Sequence, residues 1–449
     1  MPRLLALAVL ASVLAASAGA SDLWESLFDG RDDSAASGLN AFIAKVRSEA
    51  PKPGPRPHDD RYWVTVRVDG GPARTRAAAM GLSIEMVEGG TVSGVADSGT
   101  LTRLLQAGLV IESRRPLTGF SAKDFPPADG IYHNYGEIVS ELNGLAQAAE
   151  GFGAGFSIGT SVQGRAIPGI RLGYPAKDGK PKPAAAFLGT HHAREHLSTE
   201  VPLLLARWLV EHAREPRVKK LLETRDVYIL PVINPDGVEY DIATGSYKWQ
   251  RKNMRDNGDG TTGVDLNRNY DFRFGGGGSS DYPGSDTYHG KSAFSEPESR
   301  AVRDFVEGLP ALKMMVSFHT FSELVMYPWG GADEPISDGR ALAAYKAMAG
   351  KVSQWNGYRA MQSSELYVAT GDTCDWAWAS KGVFCLTFEL TPKSQWDGGF
   401  YPGAGAVAGT FQKNLEPALY LIDLADDPYR AGNAAASAGG AAAAGSSGR

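Results

Sequence analysis

From residue 127 to residue 426 the chain interleaves two kinds of pattern. Helix-period segments lie at Tyr135–Ala149 and Thr199–Ala213. Short apolar runs lie at Ala166–Leu172, Ala184–Gly189, Val227–Val232, Met314–Phe318 and Val383–Glu389. Antiparallel strands can join through a two-residue turn, whereas parallel strands need a crossover long enough for a helix. The interleaving therefore predicts an α/β domain over 127–426, with a central, mostly parallel mixed sheet and helices on both faces. In such sheets ligands collect beyond the carboxyl ends of the strands. His192, His319 and Glu389 all fall at or just past apolar runs, so they are expected to meet in one cleft.

Upstream, residues 59–120 read as a small α+β module. Arg61–Val68 alternates like a strand, Ala73–Met80 is Ala-rich, and Ser83–Val87 and Thr91–Val95 flank the hairpin signal Gly89-Gly90. Thr100–Leu109 has helical spacing, and Val110–Ser113 is a further strand candidate. Residues 1–20 read as an export signal: Arg3, an apolar Leu4–Leu14 core, then Ala18-Gly19-Ala20. That core is short for a membrane span, so no stable membrane insertion is expected and the product should be secreted or periplasmic. Residues 21–58 read as leader and linker, and 430–449 as a disordered Ala/Gly/Ser tail. With 51 acidic against 45 basic residues, the net charge of −6 argues against nucleic acid as a partner. The two cysteines, Cys374 and Cys385, are either a disulfide or two small buried hydrophobes.

Two imidazoles and a carboxylate suit a zinc ion with one position left open. His192 and Glu195, in His192-Ala193-Arg194-Glu195, supply two candidate ligands and His319 a third. Spacing alone leaves the register open, because His191 and His196 are neighbours. Glu389, in an apolar strand, suits a general base. Arg251, in Trp249-Gln250-Arg251-Lys252-Asn253, and Arg268, in Asp265-Leu266-Asn267-Arg268-Asn269-Tyr270, each stand beside amide side chains. A guanidinium can hold a carboxylate bidentately or stabilise a developing oxyanion. Asp256-Asn257-Gly258-Asp259-Gly260 lacks the full calcium-loop pattern and reads as a turn.

These units, together with Asn234-Pro235-Asp236-Gly237, Ser295-Glu296-Pro297-Glu298, Ser317 to Gly330 and Thr387-Phe388-Glu389, occur in one order. In that order the chain resembles zinc carboxypeptidases of the pancreatic A/B type, and exported bacterial members in particular. The resemblance implies one zinc ion on His192, Glu195 and His319, with Glu389 as base and Arg251 as oxyanion stabiliser. It implies that Asn267 and Arg268 bind the free C-terminal carboxylate of a peptide or protein. Tyr367 would close over substrate, and Arg194 would line an outer subsite. Two positions depart from the family pattern: His196 stands where an aromatic residue is common, and Phe321 where a tyrosine is usual. Cys374 matches the position that sets terminal-residue preference, and a neutral thiol there would favour apolar ends. Asp372 matches an acidic position in relatives of mixed specificity, which implies some tolerance of basic ends. Residues 61–115 match the place of a pro-segment removed by an activating protease, with Arg114-Arg115 or Lys123 as processing points. The competing readings are a cell-wall or γ-glutamyl peptide hydrolase with the same metal site, and a catalytically dead binding module.

Overall fold

A computed structural model describes residues 61–116, 125, 129–243 and 247–433. The expected signal, the leader, Lys123 and most of the tail lie outside the described residues. Residues 430–433 do not fit the expectation of a disordered tail. They form a helical turn, and Ala431 is buried against the core, which supplies the contacts that low-complexity sequence alone does not promise.

The N-terminal module is a four-stranded antiparallel sheet of β1 (Arg61–Arg67), β2 (Ser83–Glu88), β3 (Thr91–Asp97) and β4 (Val110–Pro116), in the order β2-β3-β1-β4. Alternation puts Val64 and Val66 of β1 on one face, where they pack against Ala77, Ala78, Leu101 and Leu104 of the helices Gly70–Ala79 and Ser98–Gln106. The β2–β3 register shifts between Ile84 and Met86. A Cβ at Gly94 would lie 1.9 Å from the Ser83 carbonyl oxygen, so only glycine fits opposite this irregularity. Bulges of this kind re-aim a side chain, and the residue concerned is Glu85.

The larger sheet has eight strands: β5 (Gly153–Thr160), β6 (Ala166–Leu172), β7 (Ala184–Gly189), β8 (Asp226–Leu230), β9 (Leu312–Thr320), β10 (Leu324–Tyr327), β11 (Arg359–Gln362) and β12 (Phe384–Leu390). Their order is β11-β10-β12-β9-β7-β8-β6-β5. The central block β12-β9-β7-β8 is parallel, and antiparallel pairs occur on both sides of it. Every residue of β7 is buried, which explains its unbroken apolar run. The two faces carry separate cores. Phe187, Val316, Phe318 and Phe388 pack on one side with the helices Leu197–Glu211, Gly339–Asn356 and Gly405–Leu424. Ala186, Met315 and Cys385 pack on the other with Trp376 and Val302, from the helices Thr373–Lys381 and Pro297–Glu307. The register pairs Gly189 with Phe318 and His319 with Glu389, so β7, β9 and β12 end at one edge.

Candidate active site

That edge is built by the turn after β7, the last residues of β9 and β12, and two loops. Period-two alternation gives Phe318 to one core, so His319 points the other way, beside Ser317. The turn at 190–196 is tied to the Arg251 loop. Ala193 N–H donates to the Arg251 carbonyl at 3.1 Å, and the buried Asn234 amide donates to the carbonyls of His191 at 3.2 Å and Arg251 at 3.5 Å.

His192, Glu195 and His319 form the one cluster among the described residues suited to a metal ion. His192 Nδ1 is 2.7 Å from Glu195 Oε1, His319 Nδ1 is 3.0 Å from Glu195 Oε2, and the two Nδ1 atoms are 3.2 Å apart. Both far ring nitrogens have outward partners. His192 Nε2 is 3.1 Å from Asp265 Oδ1, and His319 Nε2 is 3.1 Å from Ser317 Oγ. With Nε2–H donating outward, both Nδ1 lone pairs face one point beside a carboxylate, an arrangement that repels itself without a cation. Two nitrogens and a carboxylate fit zinc.

Around this cluster lie three buried guanidinium groups. Arg251 Nε and Nη2 are each 3.0 Å from Asp265 Oδ2, and Nη1 is 4.0 Å from Glu195. Burial alone would raise the Asp265 carboxyl, but Arg251 and His192 outweigh it and hold it well below its ordinary value. Asp265 thus stays ionised between ligand and arginine. It also caps the short turn Leu266–Arg268 by accepting from Asn267 N–H at 3.0 Å. Arg268 donates to the Gly278 and Asn267 carbonyls at 3.2 and 2.8 Å and to the Tyr367 hydroxyl at 3.0 Å. Gly371 makes this packing possible: its φ is +74°, and a Cβ there would lie 2.2 Å from the Arg268 carbonyl oxygen. Arg194 is fully buried, with Asp286 at 2.9 Å, Glu85 at 2.6 Å and the Phe400 ring 4.4 Å below its guanidinium.

Glu389 lines the same cleft beside Thr387 and is the one residue of β12 that is only partly buried. Burial first, then Glu195 and Glu85, push its carboxyl well above the ordinary range, while Arg251 and Arg268 pull the other way. Glu85 belongs to the N-terminal module, so part of that push comes from β2 of that module. The cleft lining includes Asn267, Arg268, Tyr367 and Asp372, together with Ile84 and Glu85 of β2. With these in place a cavity of about 70 Å³ remains in the cleft.

Asp372 faces the cleft but is committed. Its Oδ1 caps the helix Thr373–Lys381 through Cys374 N–H and Asp375 N–H at 2.8 and 2.9 Å, and its Oδ2 accepts from the Asn267 amide at 3.0 Å. The expectation of a neutral thiol at Cys374 needs correction. Cys374 is bonded to Cys385, with Cα atoms 5.0 Å apart, and both belong to the apolar cluster behind the sheet rather than to the cleft lining. The parity that aims Glu389 at the cleft puts Cys385 on the same face of β12, four residues deeper, where Cys374 can reach it.

Sequence reading assigned no role to Asp265, Ser317, Asn234, Asp286 or Glu85. Asp265 lies two residues before Asn267, and a carboxylate next to a predicted cation loop is its available signal. His196, a competing ligand on spacing, pairs instead with Asp241 at 2.9 Å.

The sequence pattern of the zinc carboxypeptidase family matches residues 138–417. A zinc carboxypeptidase of Saccharothrix mutabilis subsp. capreolus is 32% identical over 412 residues, covering 86% of this chain and 94% of that protein. Carboxypeptidase A2 of Mus musculus is 31% identical over 277 residues, 61% of this chain and 64% of the mouse protein. The crystal structure of carboxypeptidase A from Helicoverpa armigera shares the fold, with a TM-score of 0.67 at 22% identity over 85% of this chain and all of that one. The donor set at the strand edge and a match that spans the whole sheet lead to the same assignment: the chain belongs to the zinc carboxypeptidase family and is a zinc metallocarboxypeptidase.

Proposed function

We propose that this enzyme is an exported exopeptidase that releases single residues from peptide C-termini and is made with its N-terminal module as a removable cover. One observation carries the exopeptidase reading. Arg268 is 3% exposed, yet among the described residues its guanidinium touches only carbonyl oxygens and a phenol, with no carboxylate within ion-pair distance. A buried cation without a counter-ion is costly. A substrate α-carboxylate would supply that charge, with the Asn267 amide beside it.

Bound at His192, Glu195 and His319, zinc would polarise the scissile carbonyl and acidify water. The protein groups do the rest. Arg268 and Asn267 hold the terminal residue, so that only the last peptide bond reaches the metal cluster. Arg251, fixed by Asp265, faces the carbonyl oxygen as negative charge develops on it. Glu389 takes a proton from the attacking water and returns it to the leaving amine.

Met326, Leu366 and Ala369 line the cleft near Asp372, whose oxygens already accept hydrogen bonds. This lining supports a preference for apolar or aromatic end residues, with tolerance of basic ones through Asp372.

The covering role rests on Glu85 and Ile84 in the cleft and on Trp63. Trp63 packs with Trp249 and Phe321 at ring distances of 6.2 Å each. An activating protease would cut after the module. The export reading rests on the signal-like residues 1–20.

The test uses a blocked peptide with either a free or an amidated C-terminus, before and after limited proteolysis. Chelator-sensitive release of free amino acid from the free form alone, rising after the cut, is expected. Equal cleavage of both peptides would refute exopeptidase action, and equal rates before and after the cut would refute the covering role.

A further inference from the structure

The unit Ser295-Glu296-Pro297-Glu298 has no part in the chemistry above, yet it contains two deeply buried carboxylates. Glu298 is 0% and Glu296 2% exposed. Burial of this kind is expensive unless every oxygen is bonded. Both carboxylates converge on one amide. The two N–H donors of Asn253, itself fully buried, go to Glu296 Oε2 at 2.8 Å and Glu298 Oε2 at 3.0 Å. The remaining oxygens accept from the Ser295 hydroxyl at 2.9 Å and from Val162 N–H at 3.0 Å, and Arg255 Nε adds a bond to Glu296 at 2.9 Å.

Asn253 spends its carbonyl oxygen on the backbone. It accepts from Val264 N–H at 2.9 Å and from Arg255 N–H at 3.3 Å. Val264 precedes Asp265, and Asn253 follows Arg251 by two residues. The Asn253 side chain therefore joins the two strands of chain that carry the Arg251–Asp265 pair. The same turn also holds the next loop: Asn269 Oδ1 accepts from Ser299 Oγ at 2.6 Å and from Glu296 N–H at 3.2 Å, one residue after Arg268.

We infer that Glu298, with Glu296, is a positioning residue for the reaction: the two buried carboxylates grip the Asn253 amide and so fix Arg251 in the place where it meets the developing oxyanion. This rests on the role given to Arg251 above. A purely structural brace would lower stability and leave the rate per folded molecule unchanged. A positioning brace lowers kcat, because Arg251 acts on the transition state, and leaves KM to Asn267 and Arg268. The charged group facing Glu298 is Glu296 on its own turn, which in turn holds Arg255. The Arg165–Asp236 pair, 2.7 Å apart, lies beyond the turn that contains Val162.

The experiment is a double-mutant cycle in which each variant is made as the full-length chain and then processed by module removal, with Glu298→Gln, Arg251→Ala and the pair. It is read on a blocked peptide with a free C-terminus, alongside zinc stoichiometry. Glu298→Gln is expected to lower kcat about tenfold or more, up to the roughly 10²- to 10³-fold of a lost oxyanion donor, with KM within about twofold and zinc content unchanged. On the Arg251→Ala background the same substitution should change kcat by less than about twofold, because the group it positions is gone. Additive effects would overturn the inference, as would an unchanged kcat in the single variant or a loss of zinc. If Arg251→Ala itself leaves kcat intact, the role of Arg251 fails instead, and the two failures are distinguishable. Should Glu298→Gln not accumulate as folded protein, Asn253→Ser takes its place in the cycle, with the same expected and refuting results.

Discussion

Glu85→Gln in the intact chain tests how the module is held. In the covered cleft the Glu85 carboxylate lies 2.6 Å from Arg194 Nη2 and 3.7 Å from Arg251 Nη1, with side-chain exposures of 7%, 0% and 4% for the three groups. Glutamine keeps the shape and removes the charge. Arg194 retains Asp286 at 2.9 Å and the Trp249 carbonyl at 3.4 Å, so it is not left as an unpaired buried cation. The loss is then that of a charge-assisted hydrogen bond plus a weak second attraction, about 2–3 kcal/mol. At about 1.4 kcal/mol per tenfold change, the uncovered fraction should rise about 30- to 150-fold. The assay is the basal hydrolysis rate of the uncut chain, divided by the rate after limited proteolysis. That ratio should rise by this factor in Glu85→Gln, up to the ceiling of the processed enzyme. The processed enzymes should be identical, because residue 85 has left with the module. An unchanged basal ratio would show that Glu85 does not secure the cover. A difference between the processed enzymes would show that the module had not departed.

Three further outcomes are expected. Arg268→Ala should lower kcat/KM about 10²- to 10⁴-fold, the loss of two charge-assisted bonds to a carboxylate at about 1.5–3 kcal/mol each, and should abolish discrimination between free and amidated peptides in a competition assay. Glu298 is pushed by burial, and then by Glu296, from 4.5 up to about 7, so its contribution to stability is present below about pH 4.5 and lost as pH rises through about 7. Urea unfolding should show about 3 kcal/mol more loss between pH 4.5 and 8 for the native chain than for Glu298→Gln. Replacing Cys374 and Cys385 together by serine removes an 11-residue cross-link, and should lower unfolding free energy by about 3 kcal/mol on loop entropy, with KM for an apolar end residue unchanged because neither sulfur lines the cleft.

How far these features could be read in advance depends on whether the determining contact is local. The strands β1, β2, β3, β6 and β7 and the helices Tyr135–Ala148 and Leu197–Glu211 lie within two or three residues of their expected bounds, because alternation and helical period are local signals. β5, β10 and β11 were not expected. β5 is Gly-rich and at a sheet edge, while β10 and β11 have four residues each, too few to show a period. Strand parity also settles much of the site: it sends His319 and Glu389 to one face and buries Phe318 and Phe388 on the other. Spacing alone cannot choose between His192 and its neighbours. That choice is made by partners remote in sequence, since Asp265 takes the far nitrogen of His192 while Asp241 takes His196. Cys374 misled because a neutral thiol and half of a disulfide are the same letter, and only the β12 register brings Cys385 beneath it.

The placement of the module has a consequence for the order of events. Each cation in the cleft already has an answer that is not substrate. Glu85 serves Arg194 and lies near Arg251, and the Tyr367 hydroxyl serves Arg268. The Tyr367 ring is packed into the module's own core with Val64, Ala77 and Leu101, and Thr75 Oγ1 accepts from Val368 N–H at 2.9 Å, one residue further on. The segment that answers Arg268 is therefore held from the module's side. A carboxylate bound at Arg268, as proposed above, would compete with the Tyr367 hydroxyl, and the segment that carries this tyrosine is held by the module. Loss of the module removes the Glu85 charge and the Tyr367 packing together. In the zymogen proposed above the cover would act twice, by filling the space near the metal ligands and by fixing the tyrosine over the proposed carboxylate clamp.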